Sequence, residues 1–200
     1  MELGQVRDVL RGRQAVVLES KKIRAAVAMV LFEADAGLQV LFIERAKRAG
    51  DPWSGHLAFP GGRVDAGDVT VRHTAERETL EEVGLDLGQT EFLGRLDDVK
   101  GSMTPVVVSG FVYHIAQKES FTLDAEVQDA FWVSMDDLLD PKRHMDYPFH
   151  FQNQDQVLPG VDLLGPGRPV LWGLTYRFVV HFLELMGHAI PSMPPFKTSG

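Results

Sequence analysis

Three glutamates crowd one side of a short helix-forming stretch, and few folds tolerate that without a purpose. Val69 to Val83 (VTVRHTAERETLEEV) contains no Gly or Pro and many helix formers. Asp68 or Thr70 can cap its start, and Gly84 stands where a C′ glycine belongs. On such a helix Glu78 and Glu82 are i, i+4, and Glu78 and Glu81 are i, i+3. Like charges at these spacings destabilise an isolated helix by a few tenths of a kcal/mol per pair, roughly. A hard divalent cation removes that repulsion, and Mg²⁺ takes oxygen ligands together with substrate phosphates. Phe59-Pro60-Gly61-Gly62 precedes the helix. The glycines permit a tight turn that folds the chain around it and leaves room for a phosphate. Arg77, on the same helix, is placed to bind Asp68 or a glutamate.

Around this segment the chain reads as a mixed α+β domain. Ala25–Glu33 and Leu38–Glu44 are apolar and β-rich, with a turn at Ala34–Gly37, so they predict a hairpin of buried strands. Arg45–Pro60 reads as a loop, with breakers at Gly50-Asp51-Pro52 and Ser54-Gly55. Phe92–Asp97, Pro105–Ile115 and Phe131–Val133 read as strands, and a short helix is expected around Met135–Leu139. Asp140–Pro169 is rich in Pro, Gly and aromatics and reads as an ordered loop region in which Tyr147, Phe149 and Phe151 need burial. Val170–Met186 predicts an amphipathic helix, and the tail 189–200 an irregular end. The elements lack βαβ regularity. The expected fold class is therefore α/β in the broad sense (α+β), a mixed sheet sandwiched between helices. The 200 residues are expected to form one domain, with a core of about 25–186.

Composition narrows the function. There is no Cys, which excludes disulfides, thiolate zinc sites and Cys nucleophiles. The formal net charge of -8 argues against sequence-independent nucleic-acid binding, which needs a basic face. No apolar run is long enough for a signal peptide or a membrane span, so no membrane association is expected and the cytoplasm is the expected compartment. The seven histidines form no H-x-x-H or H-E-x-x-H spacing, which argues against zinc. Ser54 lacks a Gly-x-Ser-x-Gly elbow. Trp53 either stacks on a base or packs its loop. His56 either contacts a phosphate or bonds backbone, and His73 is expected on the surface. Asp97 and Asp98, at a strand end, are weaker candidates for a general base.

Taken together, Gly62, Asp68 and Arg77-Glu78-Thr79-Leu80-Glu81-Glu82-Val83-Gly84-Leu85 resemble the box of the Nudix hydrolases, G-x5-E-x7-R-E-U-x-E-E-x-G-U. Asp68 replaces the first acid, eight residues rather than seven separate it from Arg77, and Thr79 takes an aliphatic position. Leu41-Phe42-Ile43-Glu44-Arg45-Ala46, Gly55-His56-Leu57-Ala58-Phe59-Pro60-Gly61-Gly62 with Asp65 and Asp68, and Thr74-Ala75-Glu76-Arg77-Glu78 are similar to the coenzyme A pyrophosphatase branch. His56 replaces that branch's Gln, and Trp53 stands where it often has His. Leu171-Trp172-Gly173-Leu174-Thr175 looks like its terminal helix. The resemblance spans about Ala25 to Met186.

The resemblance implies a Nudix-type sandwich and hydrolysis of a diphosphate linkage in a nucleoside diphosphate derivative, using Mg²⁺ or Mn²⁺. It implies metal ligation by Glu78, Glu81 and Glu82, with Glu82 and Glu78 foremost, and Arg77 beside them. Some members carry a base or metal glutamate in a loop six residues before an aromatic strand residue, which here is Glu126. Arg45, Trp53, His56, Gly61 and Gly62 are the expected substrate-binding positions. The first substrate is coenzyme A or an acyl-CoA, giving 3′,5′-ADP and 4′-phosphopantetheine. Alternatives are ADP-ribose, an NDP-sugar or a nucleoside triphosphate, and a Nudix-fold sensor without turnover. Homodimers are common in the family, so a homodimer is one expectation for a partner. Glu78, Glu81, Glu82 and Glu126 make up four of the 28 acidic residues. Half of the net negative charge is thereby assigned to one cation-binding site.

Overall fold

The computed structural model describes residues 1–19, 23–48, 50, 53–151 and 154–190. The core element is β1 (Ile23–Ala34), which turns at Asp35-Ala36 into β2 (Gly37–Arg45), pairing Leu31 with Val40 and Ala34 with Gly37. β1 is apolar on both faces because both are covered. Ala26, Ala28 and Val30 enter one core cluster, and Met29 and Leu31 enter the other. This is the period-two alternation of a strand, with layers of helix on either side.

The chain continues through β3 (Leu57–Ala58), β4 (Gly61–Arg63), α2 (Val71–Val83), a 3₁₀ turn at Leu87–Gln89, β5 (Glu91–Arg95), β6 (Val99–Lys100) and β7 (Val106–Ile115). Then come β8 (Val127–Ser134), α3 (Met135–Leu139), β9 (His144–Phe151), β10 (Gln154–Val161), β11 (Leu171–Trp172) and α4 (Gly173–Leu185), with α1 (Leu3–Leu10) preceding them all. The main sheet runs β3-β2-β1-β7-β5. β4 pairs with β1, β6 with β7 and β8 with β2. β1 and β7 are parallel, from Ile23 opposite Val106 to Phe32 opposite Ile115, and the other pairings are antiparallel. α2 covers one face through Ala75 and Val83. α1 and α4 cover the other through Leu3, Val6, Leu10, Phe178 and Phe182. The result is the expected mixed sheet between helices.

Several expectations needed correction. Asp140–Pro169 is not loop throughout, because β9 and β10 form an antiparallel hairpin that β11 joins as a second sheet. Pro148 and Pro159 hide this hairpin from propensity. Pro148 is tolerated because β9 is an edge strand. Tyr147 and Phe149 are half-buried as expected, whereas the Phe151 side chain lies outside the described residues. The terminal helix begins at Gly173, whose φ of 69° breaks it from β11, rather than at Val170. The loop expected at Arg45–Pro60 contains β3. The N-terminal helix α1 was not anticipated, although Leu3, Val6 and Leu10 mark its buried side. Asp51 and Pro52 of the expected breaker, and 191–200 of the expected irregular tail, lie outside the described residues.

Candidate active site

The glutamate helix is set by its ends. Thr70 Oγ1 accepts from the His73 amide at 3.1 Å, which makes Thr70 rather than Asp68 the N-cap. Gly84 adopts φ 75° at the C-terminus, where its amide bonds Leu80 O. Ala75, Thr79 and Val83 are buried against the sheet. Thr79 fits this apolar side because its hydroxyl donates to Ala75 O at 2.7 Å.

β4 lies against β1, with Val27 opposite Gly61 and Ala26 opposite Gly62. A side chain at Gly61 would run into the Ala26 carbonyl and the Val27 backbone. One at Gly62 would occupy the position of the Glu78 carboxylate. Only glycine lets strand and helix approach this closely. The Gly61 amide donates to Glu82 Oε2 at 2.8 Å. Glu82 is only 4% exposed, and burial pushes its carboxyl up to about 8, with Glu78 and Asp124 adding repulsion against the Gly61 amide and Arg45. Burial also raises Glu78, opposed mainly by Arg77.

Arg77 ties the acids together. Its Nε and Nη2 reach the two oxygens of Asp68 at 3.0 and 3.1 Å, a bidentate pair. Its Nη1 donates to Glu78 Oε1 at 2.9 Å and to Glu81 Oε2 at 3.0 Å. Asp68 also accepts from Thr74 Oγ1 at 2.8 Å and the Asp65 amide at 2.9 Å. The Arg77 guanidinium is the largest cause holding its carboxyl well below the usual range. The substituted acid and the extra residue before Arg77 therefore still close the ring between loop and helix.

A cavity of about 760 Å³ opens over this face, within the usual size of a ligand site. Arg45, Trp53, His56, Gly61, Gly62, Arg77, Glu78, Glu81, Glu82 and Glu126 all line it. These ten positions are thus brought together around one cavity. Glu126 comes from the loop before β8. That loop is pinned to α2 by the Thr122 amide on Val83 O (3.0 Å) and the Asp124 amide on Glu82 O (3.1 Å). Glu126 Oε1 also accepts from Arg48 at 3.1 Å. Asp124, Met103, Leu158, Trp172, Leu174 and Arg177 line the cavity as well; Trp172 and Leu174 stand in the segment similar to the branch's terminal helix, whereas Met103 and Leu158 carried no local signal of it.

Asp97 and Asp98 are not in the cavity lining. Asp97 accepts from Arg13 and the Val16 amide. Asp98 is buried among Arg95, Ser109 and the Leu18 amide. Both tie the N-terminal segment to the sheet, which corrects their candidacy as general base. His73 is half-exposed, 3.6 Å from Asp68.

Trp53 and His56 belong to a ring cluster. His56 meets Trp172 at 5.0 Å between centroids, Phe149 meets Trp172 at 4.2 Å, and Trp53 stacks on Phe149 at 6.3 Å. Phe149 of the hairpin and Trp172 of β11 thus pack against the Trp53–His56 loop, which is also held by backbone bonds between Arg45 and both Gly55 and His56. Of the two alternatives for Trp53, the packing one is seen in its ring contacts, and the residue also lines the cavity.

The donors suit a hard cation. They are carboxylate oxygens whose mutual repulsion, which adds to the burial that raises Glu82, a cation would relieve. Among the described residues, no three His, Asp or Glu side chains already converge as a cage. Glu78 and Glu81 instead share Arg77, and Glu81 is exposed enough to turn toward a cation.

A family model described as NUDIX domain matches residues 22–152. The chain is 31% identical over 200 residues to mitochondrial coenzyme A diphosphatase NUDT8 of Mus musculus, covering 92% of this chain and 91% of that one. It is 40% identical over 111 residues to an uncharacterized protein of Schizosaccharomyces pombe, covering 52% of this chain and only 34% of that relative. A solved MutT/nudix family protein from Enterococcus faecalis superposes with a TM-score of 0.52 at 18% identity, covering 94% of this chain and 68% of that one, a likeness of fold. Among the described residues no helix is long and apolar enough to cross a membrane. The chain belongs to the NUDIX domain family.

Proposed function

We propose that the chain is a metal-dependent diphosphatase of coenzyme A and its thioesters, releasing 3′,5′-ADP and a 4′-phosphopantetheine. The observation that carries this reading is the single cavity in which Glu78, Glu81 and Glu82 meet Arg45, Trp53 and His56. The relative named a coenzyme A diphosphatase, matched along nearly its whole length, supports the choice of substrate.

Glu78, Glu81 and Glu82 would hold Mg²⁺ or Mn²⁺. When bound, such a cation neutralises phosphoanhydride charge and activates water, effects worth several kcal/mol, roughly. The remaining work falls to the chain. Arg77 fixes the spacing of Glu78 and Glu81 while itself anchored by Asp68. The Gly61 amide aims the Glu82 carboxylate, and the missing side chain at Gly62 makes room for the Glu78 carboxylate. Arg45 and His56 bind the diphosphate, and Trp53 offers a ring beside it.

In the reaction the water oxygen bonds to one phosphorus and the bridging P–O bond breaks. The bridging oxygen leaves with its electron pair as a phosphate. Glu126 is the base that takes the water proton, because it lines the cavity, stands on a loop fixed to α2, and keeps an exposed carboxylate.

The test is a panel of coenzyme A, ADP-ribose, an NDP-sugar and a nucleoside triphosphate with Mg²⁺ or Mn²⁺. Coenzyme A is expected to give the highest kcat/KM. Preference for another diphosphate would overturn the substrate, and no turnover of any would favour a sensor. The expected cytoplasmic location is tested by imaging a tagged full-length protein, since the mouse relative is named as mitochondrial.

A further inference from the structure

α4 begins on the cavity wall with its first amides uncapped. A helix leaves its first N–H groups without intrahelical acceptors, and they carry the positive end of its dipole. α2 answers this with Thr70 and α3 with Ser134, each accepting from a backbone amide. α4 has no capping side chain and no acid in its first turn. No acid occurs between Asp162 and Glu184 in the sequence. Gly173, Leu174 and Thr175, the first residues of the helix, all line the cavity. Gly173 has φ 69°, and a left-handed residue leading into right-handed ones turns successive N–H groups toward one side. A side chain at Gly173 would meet nothing within 4 Å, so the space beside it is open.

A second, independent donor stands at the same place. Trp172, the residue before the helix, is 5% exposed and lines the cavity. Its indole Nε1 is buried and has no hydrogen-bond partner among the described residues. The rings of His56, Tyr147 and Phe149 pack around the indole at 5.0, 5.6 and 4.2 Å between centroids and hold it in place. Burying an N–H unpaired is costly enough that folded chains pair nearly all of them. A ligand acceptor supplies the missing partner. Thr175 adds a hydroxyl, and Arg177, which donates to Lys100 O at 2.6 Å, adds positive charge to the same wall. Amides, indole, hydroxyl and guanidinium all donate. Phosphate, with several acceptor oxygens and negative charge, is the chemistry that matches them.

We propose that the start of α4, with Trp172 Nε1 and Thr175 Oγ1, is a binding subsite for a phosphate other than the diphosphate cleaved at the carboxylates. Two sources share that chemistry: a phosphate monoester elsewhere on the substrate, and free inorganic phosphate. The inference adds to the diphosphatase reading, and only the substrate source rests on that reading.

The test follows the indole N–H resonances of the full chain by ¹H–¹⁵N NMR, with Mg²⁺ left out so that phosphate is not drawn to the carboxylates. The chain has three tryptophans, and Trp172→Phe assigns the resonance of interest. Inorganic phosphate and 3′,5′-ADP are each expected to move the Trp172 resonance downfield to saturation, whereas adenosine leaves it in place. Thr175→Val, which keeps the side-chain shape, is expected to weaken both by about tenfold. The sources are separated by kcat/KM, with Mg²⁺, for coenzyme A and for coenzyme A lacking its 3′-phosphate. A preference for the 3′-phosphate that Thr175→Val erases assigns the subsite to the substrate. A ratio that the substitution leaves unchanged, beside a saturable inorganic-phosphate titration, assigns it to free phosphate. A Trp172 resonance that phosphate does not move, that adenosine moves equally, or that responds with unchanged affinity in Thr175→Val would overturn the subsite and leave the diphosphatase reading intact. Failure to turn over either coenzyme A compound would overturn that reading, while the titration still decides the subsite.

Discussion

The Gly61 amide donates to Glu82 Oε2 at 2.8 Å, joining the glycine turn to the most buried carboxylate of the helix. The bond couples two sequence motifs that are remote along the chain, and it orients an acid whose burial otherwise favours its neutral form. Replacing Glu82 by Gln keeps the acceptor oxygen and the shape but removes the charge. We expect kcat to fall by about a thousandfold, since the group serves the step that carries most of the catalysis. Circular dichroism should remain native. A rate within tenfold of wild type would refute the assignment.

The same burial makes a pH prediction for the metal-free protein. Glu82 rises from its ordinary 4.5 to about 8, so the folded state favours the protonated acid. Its contribution to stability is intact below about 4.5 and is lost as pH climbs toward about 8. Thermal melts of the metal-free chain should show the Glu82→Gln variant gaining on wild type across that window, by on the order of a few kcal/mol. Parallel pH profiles would contradict the account.

Asp68 answers to the opposite sign. Arg77 and two further hydrogen bonds hold its carboxyl low, so its stabilisation is present above the ordinary Asp range and lost as pH falls through it and below. Asp68→Asn should cost about 1–3 kcal/mol at neutral pH by denaturant unfolding, and much less in acid. Loss of the Arg77 anchor should also lower kcat. A fully active, fully stable variant would show that the Arg77 ring is dispensable.

A methyl group at position 62 would enter the space of the Glu78 carboxylate. Gly62→Ala is therefore expected to weaken Mn²⁺ binding, read by electron paramagnetic resonance, by about tenfold or more. Unchanged Mn²⁺ affinity would remove Glu78 from the ligand set.

Glu126→Gln separates chemistry from binding. Its partner Arg48 is exposed like itself, so the pair contributes little to stability. As the base, Glu126 should cost about a hundredfold in kcat with KM nearly unchanged, and raising pH should recover part of the loss. A shift in KM alone would make it a binding residue.

What could be read in the sequence was what local chemistry encodes. A cap at Asp68 or Thr70, the stop at Gly84 and the one-sided glutamates specify α2 without reference to anything distant, and the structure selects Thr70. The two-glycine turn declared a close approach, though not that its target was Glu82. The β9–β10 hairpin is hidden because Pro148 and Pro159 depress its propensity, and part of its support comes from Trp53, far earlier in the chain. Asp97 and Asp98 looked available because their partners Arg13 and Leu18 lie some eighty residues earlier.

The most direct measurement is phosphorus NMR of coenzyme A incubated with Mg²⁺ and either the wild-type chain or Glu82→Gln. The account predicts conversion of the diphosphate resonances to those of 3′,5′-ADP and 4′-phosphopantetheine by wild type and unchanged coenzyme A with the variant. Intact coenzyme A under both, or equal conversion by both, would contradict it.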